Sequence, residues 1–166
     1  MTAVYSFYTN NRSDEQMHSD VIKGLVQLEN KFGNSCQSDG YLIDDSCNML
    51  YVSRSVDDEN WEICGKLEYT FYDQTEMNVT TKVVEIHWLC ADRCGQVLFN
   101  RFKSLVHGYP RKIIITCSLN ESEQQQTVMC RLNFWVKNNF RVVQTTYTTN
   151  ADETMNVKLG MQLVLK

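Results

Sequence analysis

Apolar and polar positions along this chain switch repeatedly between a period of two and a period near 3.6, and each switch predicts an element boundary. Ala3–Thr9 (AVYSFYT) alternates and is rich in aromatic and β-branched residues, which predicts a strand. Ser13 and Asp14 offer caps for a helix reaching Phe32, with Met17, Val21, Leu25, Leu28 and Phe32 at helical spacing and Gly33 to close it. Asn34–Asp45 is polar and contains glycine, a loop with room for a short second helix. Met49–Ser53 and Trp61–Tyr72 predict a hairpin around the turn-forming run Asp57–Asn60, and Asp73–Thr80 reads as a further turn.

The second half starts with a strand over Val83–Cys90 that runs, almost without a loop, into a helix over Gly95–His107. Val97, Leu98, Phe102 and Leu105 form the apolar side of that helix. Lys112–Leu119 is nearly continuous in apolar residues, as in a strand covered on both faces. Glu121–Asn138 is helical, with Val128, Leu132 and Trp135 on one stripe, and Phe140–Tyr147 and Met155–Leu165 are strands around the turn Asn150–Glu153. The order is β-α-(α)-β-β-β-α-β-α-β-β, one α/β (α+β) domain over residues 1–166 built on a mixed sheet. Only the central strand–helix–strand needs a parallel crossover.

At 166 residues the chain is long enough to bury an ordinary core, and 43% hydrophobic with 22% charged residues excludes disordered and fibrous classes. A net charge of -4 argues against a general nucleic-acid binder, although Arg101, Lys103, Arg111 and Lys112 gather around one helix end. Cations at a helix C-terminus ordinarily complement its dipole. No segment is apolar enough to span a bilayer and the first residues carry no secretory pattern, so no membrane is expected and the location expected is intracellular, cytoplasmic or nuclear. Seven cysteines include Cys64, Cys90, Cys117 and Cys130 inside apolar runs, where reduced core thiols are expected. There is no CxxC and the histidines are scattered, so no metal site is expected.

The strand–helix junction carries the clearest chemistry. Backbone N–H groups at a helix start point outward beside a positive dipole end, which favours an anion such as a phosphate. Three segments then resemble the GNAT superfamily of acyl-CoA-dependent N-acyltransferases. Ile63-Cys64-Gly65-Lys66-Leu67 looks like the family's "vGyl" strand segment. Val84–Ala91 with Gly95-Gln96-Val97-Leu98-Phe99 looks like its central strand and pyrophosphate-binding helix. Phe134-Trp135-Val136-Lys137-Asn138-Asn139-Phe140 looks like its "lYeknGF" signature.

The resemblance implies a sheet that splays beyond the central strand, with the pantetheine of acetyl-CoA, the acyl donor, pairing along that strand's edge. It implies that Leu89, Cys90 and Ala91 contact pantetheine, that Arg93, Cys94, Gly95 and Gln96 surround the pyrophosphate, and that Asn120 lies near the cofactor. Glu85 is then the candidate catalytic base, with His87 the second candidate, acting on an amine substrate that is a small molecule or a protein. Period-two alternation places Glu85, His87 and Leu89 on one face and Ile86, Trp88 and Cys90 on the other. A carboxylate covered in a strand suits a base working near neutrality.

Three departures from the family pattern stand beside this. Asp92-Arg93-Cys94-Gly95 is shorter than the family's pyrophosphate loop, with Arg93 where a glycine is usual. Trp135 replaces the tyrosine that serves as general acid, and an indole N–H cannot protonate a leaving thiolate; Tyr147 is another hydroxyl for that task. Val128 and Arg131 replace the Asn-x-x-Ala pattern, whereas Asn139 for glycine is mild because asparagine tolerates the left-handed backbone. Two functions follow: a divergent acetyl-CoA-dependent N-acetyltransferase, or a GNAT fold without catalysis that binds or regulates, as the ornithine decarboxylase antizymes do. The acidic runs Asp44-Asp45 and Asp57-Asp58-Glu59 suit a cationic amine, and the long apolar last strand suits edge pairing in a homodimer.

Overall fold

The computed structural model of the chain describes residues 3–10, 19–32, 37–38, 47–120 and 125–165. Its elements are β1 (Tyr5–Asn10), α1 (Ser19–Phe32), β2 (Gln37–Ser38), β3 (Asn48–Ser55), β4 (Trp61–Glu76), β5 (Val79–Ala91), α2 (Gly95–Leu105), β6 (Lys112–Asn120), α3 (Gln125–Lys137), β7 (Arg141–Thr149) and β8 (Met155–Val164). The expected caps Ser13 and Asp14, the closing Gly33 and the Asp44-Asp45 run lie outside the described residues.

The strands form one mixed sheet in the order β1-β3-β4-β5-β6-β8-β7, with β2 pairing separately against β5. Neighbours are antiparallel except β5 and β6, where Val83–Ile86 runs parallel to Lys112–Ile115 and α2 makes the crossover. This is the expected mixed α/β architecture with its single parallel step.

Three local expectations change. Asp73–Thr80 is not a broad turn: β4 and β5 continue as a ladder to a two-residue turn at Met77 and Asn78, whose φ angles are 49° and 66°. Positive φ at both central residues matches the twist of a tight hairpin. The tip is solvated on both faces, so its strands carry no apolar alternation to read. The loop expected at Asn34–Asp45 contributes a strand, β2, at Gln37–Ser38. Finally, β8 is not an edge: it pairs with both β6 and β7, and the end strand on that side of the sheet is β7, all nine residues of which are exposed.

On one face of the sheet, α2 buries Leu98, Phe99 and Phe102 against Leu67, Tyr69, Ile113, Ile115, Trp135 and Phe140. Trp135 is fully buried and meets Phe99 and Phe140 edge-on, with centroids 5.6 and 5.0 Å away. It is a core aromatic in the place of a general acid. On the opposite face, Leu28 of α1 packs with Cys90, Ile63 and Trp88. Cys64, Cys94 and Cys117 are buried thiols outside any disulfide. Two thiol expectations are corrected: Cys90 is disulfide-bonded, and Cys130 is exposed because α3 brings only Trp135 to full burial. Among the described residues no helix is long and apolar enough to cross a membrane, and no cluster of His, Cys, Asp or Glu is arranged to hold a metal.

Gly65 sets how closely α2 approaches β4. A Cβ there would lie 2.8 Å from Cys94 Sγ, 3.0 Å from Val52 and 3.2 Å from Leu98. Gly65→Ala is therefore expected to lower unfolding free energy by about 1–3 kcal/mol through overpacking. Urea unfolding measures it, and an unchanged midpoint would show that the helix shifts without cost.

Candidate active site

The site begins with one extra residue. β4 and β5 pair as Tyr69↔Ile86 and next as Glu68↔Trp88, leaving His87 as a bulge on β5. A bulge bends its strand and increases its twist. The parallel pairing with β6 ends at Ile86↔Ile115, so β5 leaves β6 at the bulge. The bulge also inverts the alternation. Ile86 and Leu89 both belong to the α2 face, whereas Trp88 and Cys90 pack with α1. The expected grouping of Glu85, His87 and Leu89 on one face is therefore wrong beyond His87.

On the α1 face lies a polar cluster that no local motif announces. His87 Nε2 is 2.7 Å from Thr70 Oγ1, and Thr70 pairs across the ladder with half-buried Glu85. The charge of Glu85 adds to burial in raising the phenol pKa of Tyr72. Next to Thr70 on the same face, Glu68 is buried, and Lys66 has a fully buried side chain that hydrogen-bonds to Glu29 of α1 and lies 3.4 Å from Glu68. The Lys66 ammonium also sits over the Trp88 ring, 5.0 Å from its centroid. Burial pushes the Glu68 carboxyl above its ordinary range, and Lys66 only partly offsets this. Trp88 Nε1 is buried with no hydrogen-bond partner among the described residues.

Past the bulge, β5 ends at Ala91 and α2 starts at Gly95. The turn between them is tight: Asp92 N–H donates to Cys64 O at 2.7 Å, and Arg93 takes a left-handed φ of 59°. That conformation costs a non-glycine residue about 1–2 kcal/mol and explains why glycine is usual here. Burial would raise the Asp92 carboxyl, but Lys31 and Arg54, each 3.2 Å away, hold it below its ordinary range. The Arg93 side chain is 87% exposed, with Nε 3.6 Å from Asp92 Oδ1.

Cys94 is the N-cap residue of α2 but supplies no side-chain cap. Its thiol is buried and donates to Cys64 O at 3.1 Å. Hydrogen bonding with the Cys64 thiol, followed by burial, pushes the Cys94 pKa far up, so it stays protonated. The Gln96 amide is likewise engaged, in reciprocal bonds of 2.8 and 3.0 Å with Asn138 and one of 2.9 Å with Asn100. What the junction offers an anion is therefore backbone: the first N–H groups of α2, which have no carbonyl one turn earlier in the helix.

Of the candidate residues, the structure brings Arg93, Cys94, Gly95 and Gln96 together at the helix start, directly after Leu89, Cys90 and Ala91. Glu85 and His87 lie upstream, on the α1 side. Asn120 ends β6, opposite Asn156 of β8. The edge of β5 past the bulge is partly taken. β2 pairs with it antiparallel, Gln37↔Leu89 and Ser38↔Trp88. Asn139 adopts the expected left-handed φ, at 68°. Tyr147, the other hydroxyl considered for the acid, is exposed on the edge strand.

No family model and no curated protein matches this chain. Solved structures do. NAA60 of Arabidopsis thaliana, crystallised with acetyl-CoA, aligns over 98% of this chain and 100% of its own at 10% identity, with a TM-score of 0.59. A GNAT-family acetyltransferase from Streptococcus pneumoniae aligns over 98% and 100% at 11% identity and a TM-score of 0.57. A chain of the NatC complex bound to Gag peptide and CoA aligns over the full length of both at 9% identity and 0.51. This chain thus shares its fold with the GNAT acetyltransferases.

Proposed function

We propose that this chain is a divergent N-acetyltransferase that takes acetyl-CoA as donor and passes the acetyl group directly to an amine. The observation that carries the reading is the bulge at His87, which parts β5 from β6 immediately before the α2 N-terminus. An extended pantetheine suits the backbone of Leu89, Cys90 and Ala91, and a pyrophosphate suits the N–H groups at Cys94, Gly95 and Gln96 with Arg93 beside them. Acetyl-CoA supplies a thioester carbonyl. On the α1 side Glu85 takes the proton of the attacking amine, with His87 as the other group in reach of that face. The new C–N bond forms as the C–S bond breaks and CoA leaves as the thiolate. The acceptor, a small amine or a protein amine, enters from the α1 face.

A second reading, a binding or regulatory module that does not catalyse, draws on β2. Its pairing with Trp88 and Leu89 occupies part of the edge that pantetheine needs. Calorimetric titration of acetyl-CoA separates the two. Micromolar binding by the wild type is expected, and saturating ligand should add several kcal/mol of stability. Replacing both Gln37 and Ser38 by proline should tighten binding about fivefold or more, because the competing backbone hydrogen bonds are worth about 1 kcal/mol each. No binding by either protein at millimolar acetyl-CoA would leave the module reading.

A further inference from the structure

At the opposite end of α2 from the candidate active site lies a cleft of about 930 Å³. Its walls carry Lys82, Lys103, His107 and Arg111, with Ser104 and Tyr109, and among the described residues that line it there is no carboxylate. This is notable in a chain of net charge -4. Lys82 has a counter-ion in Asp73 at 3.3 Å and lies over the Tyr109 ring at 5.1 Å. Lys103 and Arg111 have no acidic partner within ion-pair distance among the described residues; Lys103 instead lies over the Phe99 ring, 5.1 Å from its centroid.

The ordinary role of cations at a helix C-terminus does not absorb these groups. Two of the carbonyls that end α2 already have backbone partners: Val106 N–H donates to Phe102 O at 3.0 Å and His107 N–H to Ser104 O at 3.4 Å. The next turn is closed by Tyr109 N–H on Val106 O at 3.1 Å, with Gly108 at a φ of 83°. The floor is held as well. Arg111 N–H donates to Lys82 O at 2.8 Å, and Leu165 N–H donates to Arg111 O at 2.8 Å, which ties the loop to β5 and to the end of β8. Pro110 in the same loop is buried. Arg111 thus projects from fixed backbone beside two lysines from different elements, an arrangement that concentrates positive potential in a concave site.

We infer that this cleft is a second ligand site, independent of the acetyl-CoA site, and that it binds a small anion carrying several phosphate charges. Guanidinium and ammonium groups around one concavity neutralise such a ligand, and the cleft volume suits a molecule of nucleotide size. α2 has 11 residues, so about 16 Å separates the two ends and one phosphate chain does not reach both.

The test is calorimetric titration of the full chain with tripolyphosphate at 150 mM salt, then with ATP and with sulfate. Tripolyphosphate should bind with a dissociation constant in the micromolar range, and Lys103→Gln/Arg111→Gln should weaken it at least tenfold while circular dichroism and the unfolding midpoint stay unchanged. Arg141→Gln, an exposed cation on the edge strand β7, should leave binding unaltered. ATP tighter than tripolyphosphate would identify a nucleotide site using the Tyr109 ring, and equal affinity would identify a polyphosphate site; either supports the inference. Absence of binding at millimolar tripolyphosphate, affinity no greater than for sulfate, or loss of binding in Arg93→Gln alone would overturn it. Tripolyphosphate bound at the α2 N-terminus instead would be lost in Arg93→Gln and kept in Lys103→Gln/Arg111→Gln, so failure of this inference is distinguishable from failure of the acetyl-CoA site.

Discussion

Lys66→Met is expected to destabilise the fold by about 3–5 kcal/mol, the cost of removing one partner from a buried ion cluster. Lys66 is fully buried and stands between Glu29 on α1 and Glu68 on β4. Methionine fills the same length but leaves Glu68 buried without its cation. The Glu29 side chain is partly exposed and can turn to water, so most of the loss should come from Glu68. The double variant Lys66→Met/Glu68→Met should recover most of the stability, which urea unfolding would show as strong non-additivity. Additive losses would mean that the ions act separately.

The same cluster sets a pH dependence. The Glu68 carboxyl in the folded state titrates above its ordinary value of 4.5, burial being the main cause. A group raised in this way favours the folded state below its unfolded pKa, and that contribution is lost as pH rises through the folded pKa. Unfolding free energy should therefore decline from pH 4.5 upward on this group's account. Lys66→Met should steepen the decline, since it removes the main nearby charge that opposes the shift, and Glu68→Gln should abolish it. A flat profile in both wild type and Lys66→Met would remove Glu68 as the source.

Glu85→Gln is expected to lower the acetyl-transfer rate by about 10²–10⁴-fold, the usual contribution of a positioned general base, with acetyl-CoA affinity unchanged. Glu85 is close enough to Tyr72 for its charge to raise that phenol, and it pairs with Thr70, which in turn holds His87. His87→Gln should cost less than Glu85→Gln if His87 only supports the face through Thr70. If it costs more, the histidine is the base and Glu85 is its neighbour. Single-turnover rates at saturating acetyl-CoA decide between these outcomes. Wild-type rates in both variants would place the base elsewhere on the α1 face.

Much of this architecture was legible in the sequence because its signals are local. The apolar stripe of α2, the continuous apolar run of β6 and the glycine at the strand–helix junction each follow from neighbours in the chain. The three motif resemblances sit at β4, at the β5–α2 junction and at the end of α3, in the expected order. Gly65 has its physical cause in the approach of Cys94 and Leu98, and Asn139 in its left-handed backbone.

What stayed hidden depends on partners distant in the chain. Asp73–Thr80 looked like a turn because a hairpin tip solvated on both faces has no alternation. β2 has only two residues, and its pairing with Trp88 and Leu89 has no local periodicity at all. Glu29, Lys66 and Glu68 read singly as solvated charges. Only packing α1 over β4 makes them a buried cluster. Nor does the sequence show that the side chains of Cys94 and Gln96, two residues expected around a pyrophosphate, are committed to Cys64 and Asn138, so that only their backbone is open to such a ligand.

The sequence by itself determined the kind and order of every described element except β2, the one parallel crossover and the position of the strand–helix junction, since helix and strand periods and turn chemistry are properties of short stretches. The tertiary structure decided which way the side chains of β5 face. The identity of residues 83–91 is compatible with either register. The ladder with β4 skips His87, and that single extra residue reverses the faces of everything after it and parts β5 from β6. The candidate site exists because of that pairing, and pairing is a relation between strands that no single stretch of sequence contains.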